Sequence, residues 1–282
     1  MRNALQANTS VAHIDPALAR AALDIAVKAA RDAAELIRAS ASELGSLEWV
    51  EKGIADFVTE ADRGAEERIT EVIGSAFPDA TLLGEEMTPD ATLPSDGLTF
   101  IIDPLDGTTN FLHGYPQYAV SIGVLQGSDI IAGVVLNVAR GDLFTARAGQ
   151  GTFLDGNRVN VSLQTDPARA LIGTGFPFKN ADLLDAYARQ FVELNRRTSG
   201  VRRAGSAALD LADVACGRFD GFWELVLAPW DVAAGILLVR EAGGIVTDIT
   251  GAPGAPAHGP VVAGNPDIHR WLLATLESVN AT

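Results

Sequence analysis

The chain is organised around Phe100-Ile101-Ile102-Asp103-Pro104-Leu105-Asp106-Gly107-Thr108-Thr109-Asn110. Its leading apolar residues predict the end of a buried strand. Because Pro104 suits the second position of a turn, we expect Asp103 to lie where the chain leaves the sheet. The backbone N–H groups after Asp106 could face an anion. Carboxylates with a free carbonyl at Leu105 are the oxygen ligands that Mg²⁺ takes alongside a phosphate. The same residues also fit an Asp-Pro turn followed by an aspartate helix cap.

The composition indicates a globular protein of one large or two medium domains, since 48% of its 282 residues are apolar and 20% are charged. Acidic residues outnumber basic ones by 36 to 21, and the net charge of −15 disfavours direct binding to nucleic acid or an anionic membrane. Cys216 is the only cysteine, which fits a reducing cytoplasm. There is no signal-peptide pattern and no apolar run of about 18 residues. We therefore expect a soluble cytoplasmic protein.

The N-terminal part predicts two helices. Asp15-Pro16 resembles a helix start, and the helix should run to about Ser40. Its apolar face is predicted from the spacing of Leu18, Ala22, Ile25, Ala29, Ala33 and Leu36. Residues 44–55 lack a period and are interpreted as a loop or loose hairpin. A second helix follows, with Thr59 and Asp62 placed as a capping box, which by itself explains Asp62 structurally.

Strand patterns dominate from residue 81 to residue 161. Thr81-Leu82-Leu83 predicts a short strand that ends at Gly84-Glu85-Glu86, much as the strand before Asp103 ends in a carboxylate. The two strands could lie side by side, although a solvated turn is the plainer interpretation of two adjacent glutamates. Five further runs, separated by turn residues, predict an antiparallel meander: residues 118–125, 130–138, 143–146, 152–154 and 158–161.

Beyond residue 166 the pattern changes to alternating helices and strands. Strands are predicted at 170–174, 220–224, 245–248 and 261–263, and helices at 181–195, 206–216, 231–241 and from 266 onward. Asp231 would cap its helix. We expect one catalytic unit over residues 12–282, in which an N-terminal half (about 12–165) that carries the meander is fused to an α/β C-terminal half (about 166–282).

Two phosphatase families place aspartates after a buried strand. The haloacid-dehalogenase phosphatases use Asp-x-Asp, whereas two residues separate Asp103 from Asp106, so the second carboxylate would point elsewhere. The whole set of segments instead resembles the inositol monophosphatase family, with order and spacing that agree from about residue 15 to residue 265. The matching segments are residues 56–62, 84–86, 102–110, 205–208 and 230–235, and residues 174–179 and 202–206 resemble the bacterial branch. The resemblance implies a mixed α/β, layered αβαβα sugar-phosphatase fold.

The resemblance also implies a magnesium site with two or three ions. Glu85, Asp103 and the Leu105 carbonyl would hold the first Mg²⁺. Asp103, Asp106 and Asp231 would hold the second, and Glu85 would help to bind a third. A metal-activated water would then attack the phosphorus in line, without a phosphoenzyme.

Roles for the other site residues follow from the same resemblance. Thr108 and Asp62 would orient the attacking water, and Glu85 belongs to this catalytic set. Glu224 would accept a hydrogen bond from a ring hydroxyl, unless it is only an exposed glutamate at a strand end. The implied substrate contacts are Leu105, Asp106, Gly107, Thr108, Arg202, Gly205, Ser206, Glu224 and Asp231. Arg202 could instead contact a neighbouring subunit.

One segment departs from the family pattern. Many relatives carry a lysine five residues before the aspartate that matches Asp56. Here Glu51 occupies that position and Lys52 follows it. The loop could be shifted by one residue, which leaves open what it contributes to a third metal ion.

These observations favour a Mg²⁺-dependent phosphatase that acts on myo-inositol monophosphates. Two alternatives stay open. One is a histidinol-phosphate or other small sugar phosphatase, because the same metal core serves several leaving groups. The other is a regulatory protein-binding role, because bacterial relatives pair with the transcription machinery. The resemblance further implies a homodimer.

Overall fold

The computed structural model describes residues 14–41, 49–53, 56–178 and 180–280. For residues 49–53 and 56–58 it describes the backbone only. The helices within these ranges are α1 Pro16–Ala41, α2 Glu60–Ala76, α3 Thr108–Leu112, α4 Leu184–Arg197, α5 Ala207–Ala215, α6 Pro229–Glu241 and α7 Pro266–Asn280. The strands are β1 Trp49–Gly53, β2 Asp56–Thr59, β3 Thr81–Gly84, β4 Leu98–Asp106, β5 Ala119–Gln126, β6 Asp129–Asn137, β7 Leu143–Arg147, β8 Gly151–Leu154, β9 Asn157–Val159, β10 Leu171–Thr174, β11 Gly200–Arg202, β12 Gly221–Leu227, β13 Ile245–Thr247 and β14 Gly259–Gly264.

A seven-stranded sheet holds the N-terminal half together, in the order β3-β4-β5-β6-β7-β8-β9. The strands from β4 to β9 pair antiparallel with their sequence neighbours, which confirms the predicted meander. The β3 strand pairs parallel to β4, with Gly84 opposite Ile102, so these two strands do lie side by side. Both therefore end at the same edge of the sheet.

Helices α1 and α2 cover one face of this sheet. Along β4 the side chains alternate, so that Phe100 and Ile102 pack with these helices and Ile101 packs on the opposite face. The buried face of α1 is made largely of alanines: Ala19, Ala22, Ala26, Ala29, Ala30, Ala33, Ala34 and Ile37. The predicted face was therefore wrong in part, since Leu36 is 44% exposed. Small side chains on this face let the helix approach its neighbours closely, and Leu36 lies outside the face.

A five-stranded sheet of order β11-β10-β12-β14-β13 forms the C-terminal half. The β10 strand is parallel to both neighbours, whereas β14 is antiparallel to β12 and β13. Its outer face packs on α4 and α7 through Trp223, Tyr187 and Leu272. The inner face packs on α5 and α6 through Phe222 and Val261.

Helices α5 and α6 lie between the two sheets and complete an αβαβα arrangement, as the resemblance implied. They share one apolar core with residues of both sheets, including Ile101 from β4 and Phe222 from β12. The contact between α6 and the seven-stranded sheet is very close, because a Cβ atom on Gly123 would lie 2.5 Å from the Cβ of Ala233. This packing fixes where the N-terminus of α6 sits above β4 and β5.

Several boundaries differ from the prediction. Helix α6 begins at Pro229 rather than Asp231, because proline suits the first helical turn. The short strand β11 was not predicted, since three residues are too few for a periodic pattern. The helix start expected after Asp106 is present as the short helix α3. Residues 44–55 include β1, which pairs antiparallel with β2 as the hairpin interpretation allowed, and the rest of that prediction lies largely outside the described residues. None of the described helices has the length and apolar character needed to cross a membrane.

Candidate active site

The end of β4 is bulged rather than turned. Asp103 pairs with Ser121 and Asp106 pairs with Ala119, so β4 carries one more residue than its partner between these pairs. The predicted exit of the chain at Pro104 was therefore wrong, since the strand runs on to Asp106. In a regular strand two residues three positions apart face opposite sides. The bulge removes that alternation and allows both aspartates to face one site.

Asp231 reaches the same site from the N-terminus of α6. It is the third residue of that helix, and its Oδ2 accepts a hydrogen bond from the Ala228 backbone nitrogen at 2.6 Å. Carboxylate oxygens of Asp103, Asp106 and Asp231 all lie within 4.8 Å of one another. The capping role suggested by the sequence and a place in an acidic cluster are thus both present in one side chain.

Protein hydrogen-bond donors also orient the carboxylates of Asp103 and Asp106. Asp103 Oδ1 accepts from the Leu105 backbone nitrogen at 3.0 Å. Asp106 Oδ2 accepts from Ser206 Oγ at 2.6 Å and from the Ala208 backbone nitrogen at 2.8 Å, at the start of α5. Such contacts fix the direction of a carboxylate in the way that outer-shell hydrogen bonds orient metal ligands.

The electrostatics of the cluster call for a cation. Burial, followed by the negative charges of Glu85, Asp106 and Asp231, raises the pKa of Asp103 well above its ordinary value. Burial also raises the pKa of Asp106, against the hydrogen bonds from Ser206 and the start of α5. Hard oxygen donors, close together and of like charge, suit a divalent cation such as Mg²⁺. The residues present therefore fit the metal that the family resemblance implies.

Glu85 lies at the end of β3, beside the bulged end of β4. Its backbone nitrogen donates to the Ile102 carbonyl at 3.2 Å, which continues the pairing of the two strands. The turn that follows is held by Glu66, a buried residue of α2. Glu66 accepts hydrogen bonds from the backbone nitrogens of Glu86 at 2.8 Å and Met87 at 2.9 Å. Glu66 was missed by the sequence analysis, because a glutamate beside an apolar helix residue usually lies on a solvated face.

Thr108 and Asp62 form a hydrogen-bonded pair at the start of α3. Thr108 Oγ1 lies 3.0 Å from Asp62 Oδ1 and 3.1 Å from the Leu105 carbonyl oxygen. The other carboxylate oxygen, Asp62 Oδ2, accepts from the Thr59 backbone nitrogen at 2.8 Å, and the predicted capping box is confirmed. Burial raises the pKa of Asp62. Gly107 precedes the pair with φ +93°, a left-handed conformation in which glycine is favoured.

A cavity of about 270 Å³ gathers most of the predicted site residues. Those that line it are Glu85, Asp103, Leu105, Asp106, Gly107, Thr108, Gly205, Ser206, Glu224 and Asp231. Asp62 lies behind Thr108 and does not line the cavity itself. Arg202 is also absent from the lining: it is exposed, and its guanidinium donates to the Val201 carbonyl.

Arg203 occupies the place that the sequence analysis gave to Arg202. It lines the cavity, and its guanidinium lies 5.2 Å from the ring centroid of Phe176 and 5.8 Å from that of Phe178. Adjacent arginines at the end of a strand point in different directions, so sequence alone could not choose between them. Phe176 and Phe178 distinguish Arg203 from Arg202 only once the fold has brought the three side chains together.

Glu224 ends the regular pairing of β12 and faces the cavity. Its carboxylate packs directly over Gly175, where a Cβ atom would lie 2.1 Å from Oε2 and 2.2 Å from Oε1. Burial, followed by the charge of Asp231, raises the pKa of Glu224 well above its ordinary value. Glu224 is 8% exposed, so the exposed strand-end interpretation was wrong. The side chains of Glu51 and Lys52 lie outside the described residues, although the β1–β2 register is interrupted between Glu51 and Gly53.

The chain is similar to known proteins over almost its whole length. The sequence profile of the inositol monophosphatase family matches residues 19–281. The Nus factor SuhB of Pseudomonas aeruginosa is 46% identical over 259 residues, which cover 90% of this chain and 95% of that protein. The extragenic suppressor protein suhB of Bartonella henselae gives a TM-score of 0.85 at 41% identity, covering 91% of this chain and 98% of that one. The inositol monophosphatase of Anabaena (Nostoc) gives 0.82 at 36% identity, covering 92% and 96%.

Proposed function

The chain belongs to the inositol monophosphatase family, and from that premise we propose that it hydrolyses myo-inositol monophosphates to inositol and phosphate with Mg²⁺. The observation that carries the proposal is the cluster of Asp103, Asp106 and Asp231, with oxygens within 4.8 Å of one another in the cavity that Thr108 lines. This arrangement suits metal-dependent phosphoester hydrolysis, because it offers a place for cations beside a hydroxyl that can orient water.

The proposed ligand sets follow the family pattern. Glu85, Asp103 and the Leu105 carbonyl would hold one Mg²⁺. Asp103, Asp106 and Asp231 would hold a second, and Glu85 would contribute to a third. When bound, such cations make water more acidic and neutralise the charge of a phosphate. Oriented as they are by protein hydrogen bonds, the carboxylates need little rearrangement to bind them.

Thr108 and Asp62 would orient the attacking water. Asp62 Oδ1 accepts a hydrogen bond from the Thr108 hydroxyl, so the lone pairs of that hydroxyl oxygen are available to accept a hydrogen bond from water. Glu85, at the cavity wall, would assist by polarising the same water. The backbone nitrogens of Gly107 and Thr108 would bind the phosphate oxygens. Attack in line with the leaving oxygen then needs no protein nucleophile.

The alcohol part of the substrate would contact the C-terminal half. We propose that Glu224 accepts a hydrogen bond from a ring hydroxyl, that Gly205 and Ser206 border the ring, and that Asp106 and Asp231 contact it beside the metal ions. Arg203 replaces Arg202 in this role, because Arg203 lines the cavity. Arg202, being exposed, is left for a contact between subunits of the proposed homodimer, which sedimentation of wild type and Arg202→Ala would test.

The two halves would act as one unit over residues 12–282. The cavity is lined from both, by Asp103 and Thr108 on one side and by Glu224 and Arg203 on the other. A single unfolding transition followed by both tryptophan fluorescence and circular dichroism is the expected behaviour. Two separated transitions would contradict a single unit.

A panel of phosphate esters tests the proposed activity. Phosphate release would be measured with and without Mg²⁺ from inositol 1-phosphate, histidinol phosphate, fructose 1,6-bisphosphate and adenosine bisphosphate. The proposal expects Mg²⁺-dependent release with the highest kcat/KM for inositol 1-phosphate. A preference for histidinol phosphate would favour the alternative of a histidinol-phosphate or other small sugar phosphatase. The absence of phosphate release from every ester would overturn the proposed enzymatic activity.

A second candidate is a regulatory role through protein binding, which the name of the Pseudomonas relative, a Nus factor at 46% identity, favours. The Asp103→Asn variant distinguishes the two functions when it is expressed in a strain that lacks its own copy of the gene. A regulatory role predicts that this variant still corrects whatever defect the loss of the gene causes. A purely catalytic role predicts that it does not.

A further inference from the structure

Asp210 is a buried acid that the proposed reaction leaves unused. It lies in the first turn of α5, is 1% exposed, and lines the cavity. Its Oδ1 is the one fully buried side-chain polar atom among the described residues that lacks a hydrogen-bond partner. Asp213, one turn further along α5, shows the contrast, because its carboxylate is paired with Arg218 at 2.9 Å.

A structural role does not explain this carboxyl. Burying a polar group without a hydrogen-bond partner costs free energy, and native proteins rarely contain such a group. The rest of α5 is buried and mostly apolar, from Ala207 to Ala215, so an apolar residue at position 210 would serve the fold at least as well. Groups that break such a rule are found chiefly where function requires them.

The surroundings of Asp210 indicate what would satisfy it. The charges of Glu224 and Arg203 both act on its carboxyl, and both residues line the same cavity. Arg203 already supplies a positive charge to this group of acids, so a ligand need not bring another. A hydroxyl group, which both donates and accepts, can meet a carboxyl in either protonation state.

We propose that Asp210 is a second specificity residue for the alcohol, and that together with Glu224 it selects phosphate esters whose ring carries hydroxyl groups on neighbouring carbons. This inference rests on the proposed phosphatase function. It adds a hydrogen-bonding partner at the wall of the cavity that α5 forms, where no family contact was assigned.

The test compares two substrates that differ only in hydroxyl groups, myo-inositol 1-phosphate and cyclohexyl phosphate. Asp210→Ala should lower kcat/KM for the inositol ester at least about tenfold more than for the cyclohexyl ester, mainly through KM. Asp210→Asn, which keeps hydrogen-bonding capacity at nearly the same size, should recover most of that loss. Asp213→Ala is the matched control on the same helix: it should lower the thermal midpoint and leave the ratio between the two substrates unchanged.

Each other outcome overturns a definite part of the account. An equal loss on both substrates, or a thermal midpoint that falls in Asp210→Ala as far as in Asp213→Ala, makes Asp210 structural and refutes the inference alone. A shift in the Mg²⁺ concentration for half-maximal activity would assign Asp210 to the metal site instead. If wild type releases no phosphate from either ester, the proposed function fails and the inference fails with it.

Discussion

Thr108 and Asp62 are joined by a hydrogen bond of 3.0 Å, and together they are proposed to orient the attacking water. We expect Thr108→Ala and Asp62→Asn each to lower kcat by about 10²–10⁴-fold, because each misplaces the attacking water. The double variant should lose little more than either single one, since the two act as a unit. Rate constants at saturating Mg²⁺ measure this. Unchanged kcat with a lower thermal midpoint would leave the pair with a capping role only.

Glu224 and Gly175 offer a second test at the scale of the residue. Glu224→Gln should impair inositol 1-phosphate more than an aryl phosphate, because the aryl ester has no ring hydroxyl to bind. Gly175→Ala should have a similar effect, since its new Cβ would overlap the Glu224 carboxylate, 2.1 Å from Oε2.

Combining Gly175→Ala with a substitution at Glu224 tests the contact between these two residues specifically. In a Glu224→Ala background the clash is gone, so Gly175→Ala should then cost little more. Values of kcat/KM for both substrates in the four variants give the coupling. Strictly additive losses would contradict the proposed contact between Gly175 and the carboxylate.

Helix α6 positions Asp231 in the cluster of carboxylates. Gly123→Ala would push its Cβ to 2.5 Å from that of Ala233 and displace the helix together with Asp231. We expect a loss of about 1–3 kcal/mol in the free energy of unfolding, typical of overpacking, and a weaker affinity for Mg²⁺. Urea denaturation and calorimetric Mg²⁺ titration measure the two.

Gly74→Ala in α2 is the matched control, because a Cβ there meets nothing within 4 Å. It should leave Mg²⁺ affinity unchanged and stabilise the helix by up to about 1 kcal/mol. Full retention of Mg²⁺ affinity in Gly123→Ala would show that α6 does not depend on this contact.

Helices and strands with a repeated spacing of apolar residues were predictable from sequence. The local backbone features that arrange the site residues were not. The meander and the α1 and α2 helices follow from repeated hydrophobic spacing. The bulge between Asp103 and Asp106 left no such pattern, because Pro104 equally suits a turn. Most site residues predicted by motif line the cavity, with Asp62 behind Thr108 and Arg202 outside it. The positions of Glu66, Arg203 and Asp210 depend on which helix face or strand end meets another element. Those contacts are part of the tertiary structure, and the local sequence does not specify them.

Buried carboxyl groups make the stability of the protein depend on pH and on bound metal. Burial and like charge raise the pKa of Asp103 and Glu224 well above ordinary values, so the folded protein holds these protons more tightly than the unfolded chain. Their stabilising contribution is therefore present below about pH 4 and is lost as the pH rises through the raised values. The net charge of −15 acts in the same direction.

We accordingly expect the thermal midpoint of the protein in EDTA to be lower at pH 8 than at pH 5. Mg²⁺ should raise it more at pH 8, because cations bind the ionised carboxylates and stabilise the folded state by mass action. Asp103→Asn should reduce both effects. A midpoint in EDTA that rises between pH 5 and pH 8 would contradict the assigned direction of these shifts.

The role of the carboxylate cluster as a metal site is tested by the dependence of inositol 1-phosphate hydrolysis on Mg²⁺ concentration in wild type and in Asp103→Asn. Asp103 is assigned to both principal ions, so losing its charge should abolish turnover at every Mg²⁺ concentration while the circular dichroism spectrum stays that of the wild type. Asn variants of exposed acids such as Asp267 serve as controls and should titrate like wild type. Turnover of Asp103→Asn within a few-fold of wild type, at the same Mg²⁺ requirement, would remove Asp103 from the metal site and contradict the account.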